Sequence, residues 1–221
     1  MDSSPAAQKD WQTRIFEIFA RLSPKIILLF HLFNYAFATV VVILGYLEFT
    51  NSNLAPSIYS LGKHFGQLAV TLLGIVVLPG ILGRLRIEIK LTRLITLFRR
   101  QLGITVFVLG LSHYLLIRFV PTLAGIYKFE FPYPVLFENF GALALFILFW
   151  LFITSNNASV KKMSIWWKRL HRFVYVAVWL LVFHTGLQRL SVWTMGIGIV
   201  AILEAVSLIY DYFRKKNFRQ S

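Results

Sequence analysis

The sequence predicts an all-α membrane protein: a six-transmembrane-helix bundle with both termini in the cytoplasm and an amphipathic helix at the N-terminus. Three observations predict it. Of 221 residues, 57% are hydrophobic and 14% charged, against about 25% charged in ordinary soluble domains. The apolar residues gather into six runs, each close to the roughly 20 residues that a helix needs to cross a bilayer. Finally, the basic residues between those runs collect on one side of the expected membrane.

Taken in order, residues 5–22 place Trp11, Ile15, Phe16, Ile18, Phe19 and Leu22 at helical spacing among Lys9, Arg14 and Arg21. This is the pattern of a helix lying in the membrane surface, assigned to residues 1–24. No short apolar core with a small-residue cleavage site stands ahead of the first run, so that run is expected to remain as a span. The six spans are placed at 25–47, 65–83, 102–120, 136–153, 172–188 and 192–213, within a membrane domain of residues 25–213, and a basic tail at 214–221 follows. Pro79 and the glycines Gly74, Gly80, Gly196 and Gly198 are tolerable in lipid, where neighbouring helices satisfy freed backbone groups or pack on small residues. Between the third and fourth spans, Tyr127, Phe129, Phe131, Tyr133 and Phe137 suit an interfacial aromatic belt, with a substrate or quinone pocket as the alternative.

The net charge of +14 would suggest nucleic acid in a soluble protein, but its placement excludes that partner. With a cytoplasmic N-terminus, only Lys63, Arg118, Lys128 and Arg189 of the 23 basic residues fall on the outer side. The charge therefore concerns orientation and anionic lipid. No cysteine is present, which excludes disulfides, thiolate metal sites and iron–sulfur clusters. Metal or cofactor ligation is left to histidine, carboxylate or methionine.

The histidines are His31, His64, His113, His171 and His184. An ionisable side chain inside a bilayer is costly and points to function, and neutral imidazole is an axial ligand of haem iron. The third and fifth spans run in the same direction. His113 lies thirteen positions beyond Arg100, and His184 thirteen beyond His171, about 20 Å in each case. His113 and His184 thus reach one depth, past the midplane, and can take one haem between them. At the inner level His171 meets Arg99 and Arg100 rather than a second histidine, and those guanidinium groups suit haem propionates. On an ideal helix His171 and His184 point about 140° apart, so the alternative for His171 is a head-group contact beside Lys168, Arg169 and Arg172. His31 is read as a structural hydrogen-bonding residue, with reach to the inner site as the alternative, and His64 as water-exposed, a propionate contact or a ligand. Glu204, well inside the sixth span, is left between proton uptake and a hydrogen bond to a serine or backbone carbonyl.

From Arg99, the run RRQLGITVFVLGLSHYLL, then LFWLFITSNNASVKKMSIWWKRLHRFVYVAVWLLVFH up to His184 and the entry KHFGQLAVTLLG, resembles the ferric-reductase-like transmembrane domain over about residues 60–190, and within it the MsrQ (YedZ) type. The resemblance implies a b-type cytochrome with one or two haems, ligands at the positions of His113, His171 and His184, and FMN as a possible further cofactor. It implies electrons arriving from quinol or a cytosolic flavin reductase, and an extracytoplasmic methionine-sulfoxide reductase as acceptor, in a bacterial inner (plasma) membrane. Relatives that reduce ferric iron or oxygen carry a second histidine on the third helix and a cytosolic flavin domain. Here that helix has one histidine and a short tail follows the last span, so a separate donor is expected. A metal-reductase-like cytochrome is the neighbouring reading; a proton-coupled transporter or channel, or a redox-inactive assembly subunit, stands as a reading of a different class.

Overall fold

The computed structural model describes residues 11–87, 89–126 and 136–218. Helices carry almost all of them, and no strand occurs among the described residues. In chain order they are α1 (Trp11–Thr50), α2 (Ala55–Arg84), α3 (Lys90–Tyr114), a π-helical segment (Leu115–Phe119), α4 (Val120–Leu123), α5 (Leu136–Ile153), α6 (Asn157–Met163), α7 (Ile165–His171), α8 (Phe173–Gln188) and α9 (Val192–Phe218). Six stretches are long and apolar enough to cross a membrane: Thr13–Thr50, Ser52–Arg84, Thr92–Leu123, Leu136–Ile153, Ile165–Gln188 and Val192–Asn217. Each contains or matches one predicted run.

The local signals explain the boundaries. Pro56 sits in the first turn of α2, where its missing N–H costs nothing, and the Asn156 side chain caps α6 by accepting from the Ser159 N–H at 2.8 Å. Ser164, at φ 47°, turns the chain between α6 and α7. The amphipathic segment is continuous with the first span, because α1 runs 40 residues through Pro24 without interruption. At 1.5 Å per residue it is about 60 Å long, twice the hydrocarbon thickness.

Five spans form a ring in the order α3, α2, α9, α8, α5, closed by α5 against α3, with α1 outside it on α3. Val77, Ala177, Val178 and Ala201 are fully buried where α2, α8 and α9 meet. Outward faces stay apolar, as with Leu28, Leu29, Leu32, Val42 and Ile43 of α1, which suits contact with lipid rather than water. The alternation of six spans puts both chain ends at the same end of the bundle. Arg14, Arg21, Arg84, Arg93, Arg99, Lys161, Lys168, Arg172, Arg214 and Lys215 belong to the helix ends gathered there, here called the basic end. Of the aromatic connection only Phe137 is described; Tyr127, Phe129, Phe131 and Tyr133 lie outside the described residues, as does Lys128.

Candidate functional site

The spans carrying His113 (α3) and His184 (α8) run parallel and face each other across the interior of the ring, rather than packing along their length. The two imidazoles meet there, with ring centres 6.2 Å apart and planes at 82°. Each ring is held from the wall behind it. His113 Nδ1–H donates to the Gly62 carbonyl of α2 at 3.0 Å, and His184 Nδ1–H donates to the Phe137 carbonyl of α5 at 2.7 Å. A carbonyl can only accept, so in a neutral imidazole the proton sits on Nδ1 and the Nε2 lone pair is left for a ligand. Such a carbonyl tie is the usual support of a metal-ligating histidine.

Close approach to both walls requires glycine. A Cβ at Gly66 would stand 2.6 Å from His113 Nδ1, and a Cβ at Gly141 2.6 Å from His184 Nδ1. Gly62 and Gly66 are four apart on α2, a G-x-x-x-G spacing that strips one helix face of side chains and lets a neighbour come close. That spacing was readable in the sequence as a packing signal. The π-helical segment begins two residues after His113, where the widened turn re-aims the following side chains, a feature often seen beside functional sites. Arg118 within it pairs with Glu138 at the start of α5, tying the end of the third span to the wall that supports His184.

The donor set decides what such a pair can hold. Two imidazoles are too few for a bare zinc ion, which takes three or four protein ligands, and no cluster of three or more His, Asp or Glu occurs among the described residues. Two is the number that a haem leaves to the protein. An iron between two imidazoles, with metal–nitrogen bonds of about 2.0–2.1 Å and roughly 1.2 Å from nitrogen to ring centre, needs about 6.4 Å between centres. The observed 6.2 Å fits.

Toward the basic end the interior opens into a cavity of about 590 Å³, within the range of small-molecule and cofactor sites. Arg99, Arg100, Lys168 and Arg172 line it together with Trp167, His171 and Tyr175, over an apolar floor that includes Val106 and Leu148. His171, Arg99 and Arg100 are therefore brought together as expected. One residue, Arg172, separates α7, which ends at His171, from α8, which begins at Phe173. His171 is held differently from the other two. Its ring stacks on Trp167 at 4.0 Å, and its Nε2 lies 3.2 Å from Thr154 Oγ1. That hydroxyl donates to the Trp150 carbonyl at 2.7 Å, so toward His171 it accepts, and Nε2 carries the proton.

His31 is half-buried on α1, outside the ring, and His64 is exposed, bonding the Ser60 carbonyl of its own helix at 2.7 Å. Neither joins the site. Glu48 was not singled out by sequence reasoning; it is fully buried near the end of α1, with neither carboxylate oxygen partnered. Its only sequence signal is an acid at the close of a long apolar run.

The chain matches the family model described as ferric reductase like transmembrane component over residues 65–182, more than half its length. It belongs to that family. The match runs from within α2, at Phe65, to within two residues of His184 and leaves out α9, so the interior site and the cavity lie within or beside it. Membership makes the chain a multi-pass membrane component of electron transfer. No solved structure matches the chain.

Proposed function

We propose that this ferric-reductase-like protein is a b-type haem electron-transfer subunit that carries electrons from the basic, cytoplasmic end of the bundle to an extracytoplasmic acceptor. The observation that carries the reading is the His113–His184 pair: two imidazoles on parallel helices, at iron-bridging separation, each tied through Nδ1 to a carbonyl. Bound haem would supply one-electron ferric–ferrous chemistry. The chain supplies the rest. His113 and His184 would ligate, Gly62 and Phe137 orient the rings, and Gly66 and Gly141 leave room for them.

The cavity at the basic end suits a second redox group, a haem or FMN, whose acidic substituents Arg99 and Arg100 would neutralise by charge-assisted bonds and whose ring system Trp167 and His171 would face. Its cationic mouth would also draw an acidic flavin reductase by electrostatic steering, with quinol as the donor from within the bilayer. Likeness to the MsrQ type favours a methionine-sulfoxide reductase as acceptor and a bacterial inner membrane as location.

The test is spectroscopic. Purified protein reduced with dithionite should show a b-type α-band and a pyridine haemochrome. His113→Ala or His184→Ala should remove the signal of the haem farther from the basic end, while His31→Ala keeps it. Protein lacking any such band, or losing equal haem in all three variants, would refute the reading.

A further inference from the structure

A second polar cluster lies between α2, α8 and α9, and the imidazole pair does not use it. Glu204 is 1% exposed, and neither of its carboxylate oxygens has a hydrogen-bond partner. Ser207, one turn on, donates to the backbone carbonyl of Glu204 at 2.7 Å rather than to its carboxylate. Arg84, at the end of α2, donates from Nε to Ser207 Oγ at 2.8 Å and from Nη1 to the Tyr175 hydroxyl at 2.7 Å. Its remaining nitrogen, Nη2, is buried and unpartnered. An acceptor without a donor and a donor without an acceptor therefore flank the same buried serine.

An isolated buried charge costs several kcal/mol, so a carboxylate so placed is either neutral or paired. Glu204 has both options open, because Arg84, with Nη2 unpartnered, is held on the same serine that bonds the Glu204 backbone. The charge of the surroundings then decides between them, and two structural links carry that charge. On one side, Tyr175 lines the cavity with Arg99 and Arg100. The bare face of Gly80 is where these groups converge: a Cβ there would lie 3.0 Å from the Tyr175 hydroxyl, 3.9 Å from Arg84 Nη1 and 4.0 Å from Arg99 Nη2. On the other side, Glu204, Ser207 and Asp211 recur at i, i+3 and i+7 along one face of α9. Asp211 bonds Arg214 at 2.6 Å and Lys215 at 2.5 Å at the basic end. A polar stripe thus runs from the surface to the buried acid. Among the described residues, the charged and titratable groups on this cluster are Arg84 of α2, Tyr175 of α8 and Arg99 of α3 beside Arg84, and Asp211 two turns along the helix of Glu204.

We infer that Glu204 is a redox-linked proton site: its carboxylate takes one proton from the basic side, along the Ser207–Asp211 face of α9, when the redox group in the cavity gains an electron. The inference rests on the proposal that the cavity holds such a group. The balance is simple. One electron enters from quinol or reduced flavin, one proton converts –COO⁻ to –COOH, and both leave when the electron moves on; no bond to the cofactor forms or breaks. Arg84 is a positioning residue that connects the acid to the cavity.

The experiment uses the full chain in lipid nanodiscs, with spectroelectrochemical titration between pH 6 and 8 and redox-difference infrared spectra. The potential of the cavity component should fall with pH, by up to about 59 mV per unit, the one-electron equivalent of a tenfold change. Glu204→Gln should flatten that slope and Glu204→Asp should keep it. Glu48→Gln, at the other fully buried acid among the described residues, should leave it unchanged. Reduction should raise a protonated-carboxyl C=O band that shifts in D₂O and is missing in Glu204→Gln. A wild-type slope in Glu204→Gln, or a band that persists there, overturns the inference. Should that variant not assemble, a wild-type infrared spectrum without the band overturns it alone. A titration with a single redox component, localised to His113–His184 by its loss in His184→Ala, instead overturns the cavity reading, and the proton site with it.

Discussion

Alanine at Gly66 or Gly141 sets two physical effects against each other, and the structure says which wins. Both glycines lie inside helices, where alanine is favoured by about 0.8–1 kcal/mol, so local propensity alone predicts stabilisation. The added methyl would stand 2.6 Å from Nδ1 and 2.9 Å from Cε1 of His113 at position 66, or 2.6 and 2.7 Å from the same atoms of His184 at position 141. Ordinary contact begins near 3.4 Å, so each ring must retreat by most of an ångström. The Nδ1 bonds of 3.0 and 2.7 Å to Gly62 and Phe137 do not survive that shift intact. A lost hydrogen bond costs about 0.5–1.5 kcal/mol and overpacking about 1–3 kcal/mol. Loss of an outer tie to a metal-ligating histidine lowers metal affinity roughly 10–100-fold. We therefore expect Gly66→Ala and Gly141→Ala each to weaken haem binding about 10–100-fold. Gly198→Ala, where a Cβ meets nothing within 4 Å, should bind as wild type. Haem titration of the apoprotein, read as the reduced-minus-oxidised difference spectrum per mole of chain, measures all three. If both site variants bind haem like Gly198→Ala, the rings are not seated where the carbonyls hold them and the reasoning fails.

Other expectations follow from the same geometry. Replacing Arg99 and Arg100 together by glutamine would remove the two charge-assisted bonds proposed for them, about 1.5–3 kcal/mol each; a redox group nearer the basic end should then be lost on purification while the His113–His184 component stays, as counted by cofactor extraction. Thr154→Ala frees His171 Nε2 from its 3.2 Å partner and should alter the spectrum or potential of the cavity component only. Glu138→Gln breaks the pair with Arg118, whose side chains are 23% and 15% exposed respectively; losing a hydrogen bond between charged groups should cost about 1.5–3 kcal/mol, seen as a lowered melting temperature in detergent. Reduction by an acidic soluble donor should slow steeply as salt rises from low to physiological strength, because the steering charge on the basic end is screened over about 8–10 Å; a rate independent of salt in stopped-flow would point to quinol instead.

The six spans were legible because bilayer thickness imposes a length on apolar runs, a constraint that acts on the sequence directly. The meeting of His113 and His184 was legible for a related reason. Two spans of the same direction turn residue number into depth, so equal offsets from the basic end mean equal levels. The Gly62–Gly66 spacing marked a close-packing face, but which ring it supports was not legible, nor were the parts of Phe137 and Gly141, because which helix stands behind which ring is a matter of tertiary packing. The level of His171 with Arg99 and Arg100 followed from the same depth argument, but its stacking on Trp167 and its contact with Thr154 depend on how α5 and α7 pack and could not be read from the sequence. Glu48 escaped notice because sequence shows an acid near a helix end, whereas burial comes from the π-helical segment and α4 packing on that end of α1.

The three histidines of the interior differ in one respect that orders their roles. His113 and His184 spend Nδ1 on a carbonyl and leave Nε2 for a ligand, whereas His171 spends Nε2 on Thr154. A carbonyl cannot donate, so its partner's tautomer is settled by the backbone; a threonine hydroxyl can rotate, so His171 can be released by a change of one side-chain torsion. The pair far from the basic end is thus built into the backbone of the ring, while the cavity is built from side chains that can adapt to what enters. On the proposed function, a haem held at one level and an exchangeable or donor-facing group at the other would call for that division between a glycine-seated wall and an arginine-lined cavity.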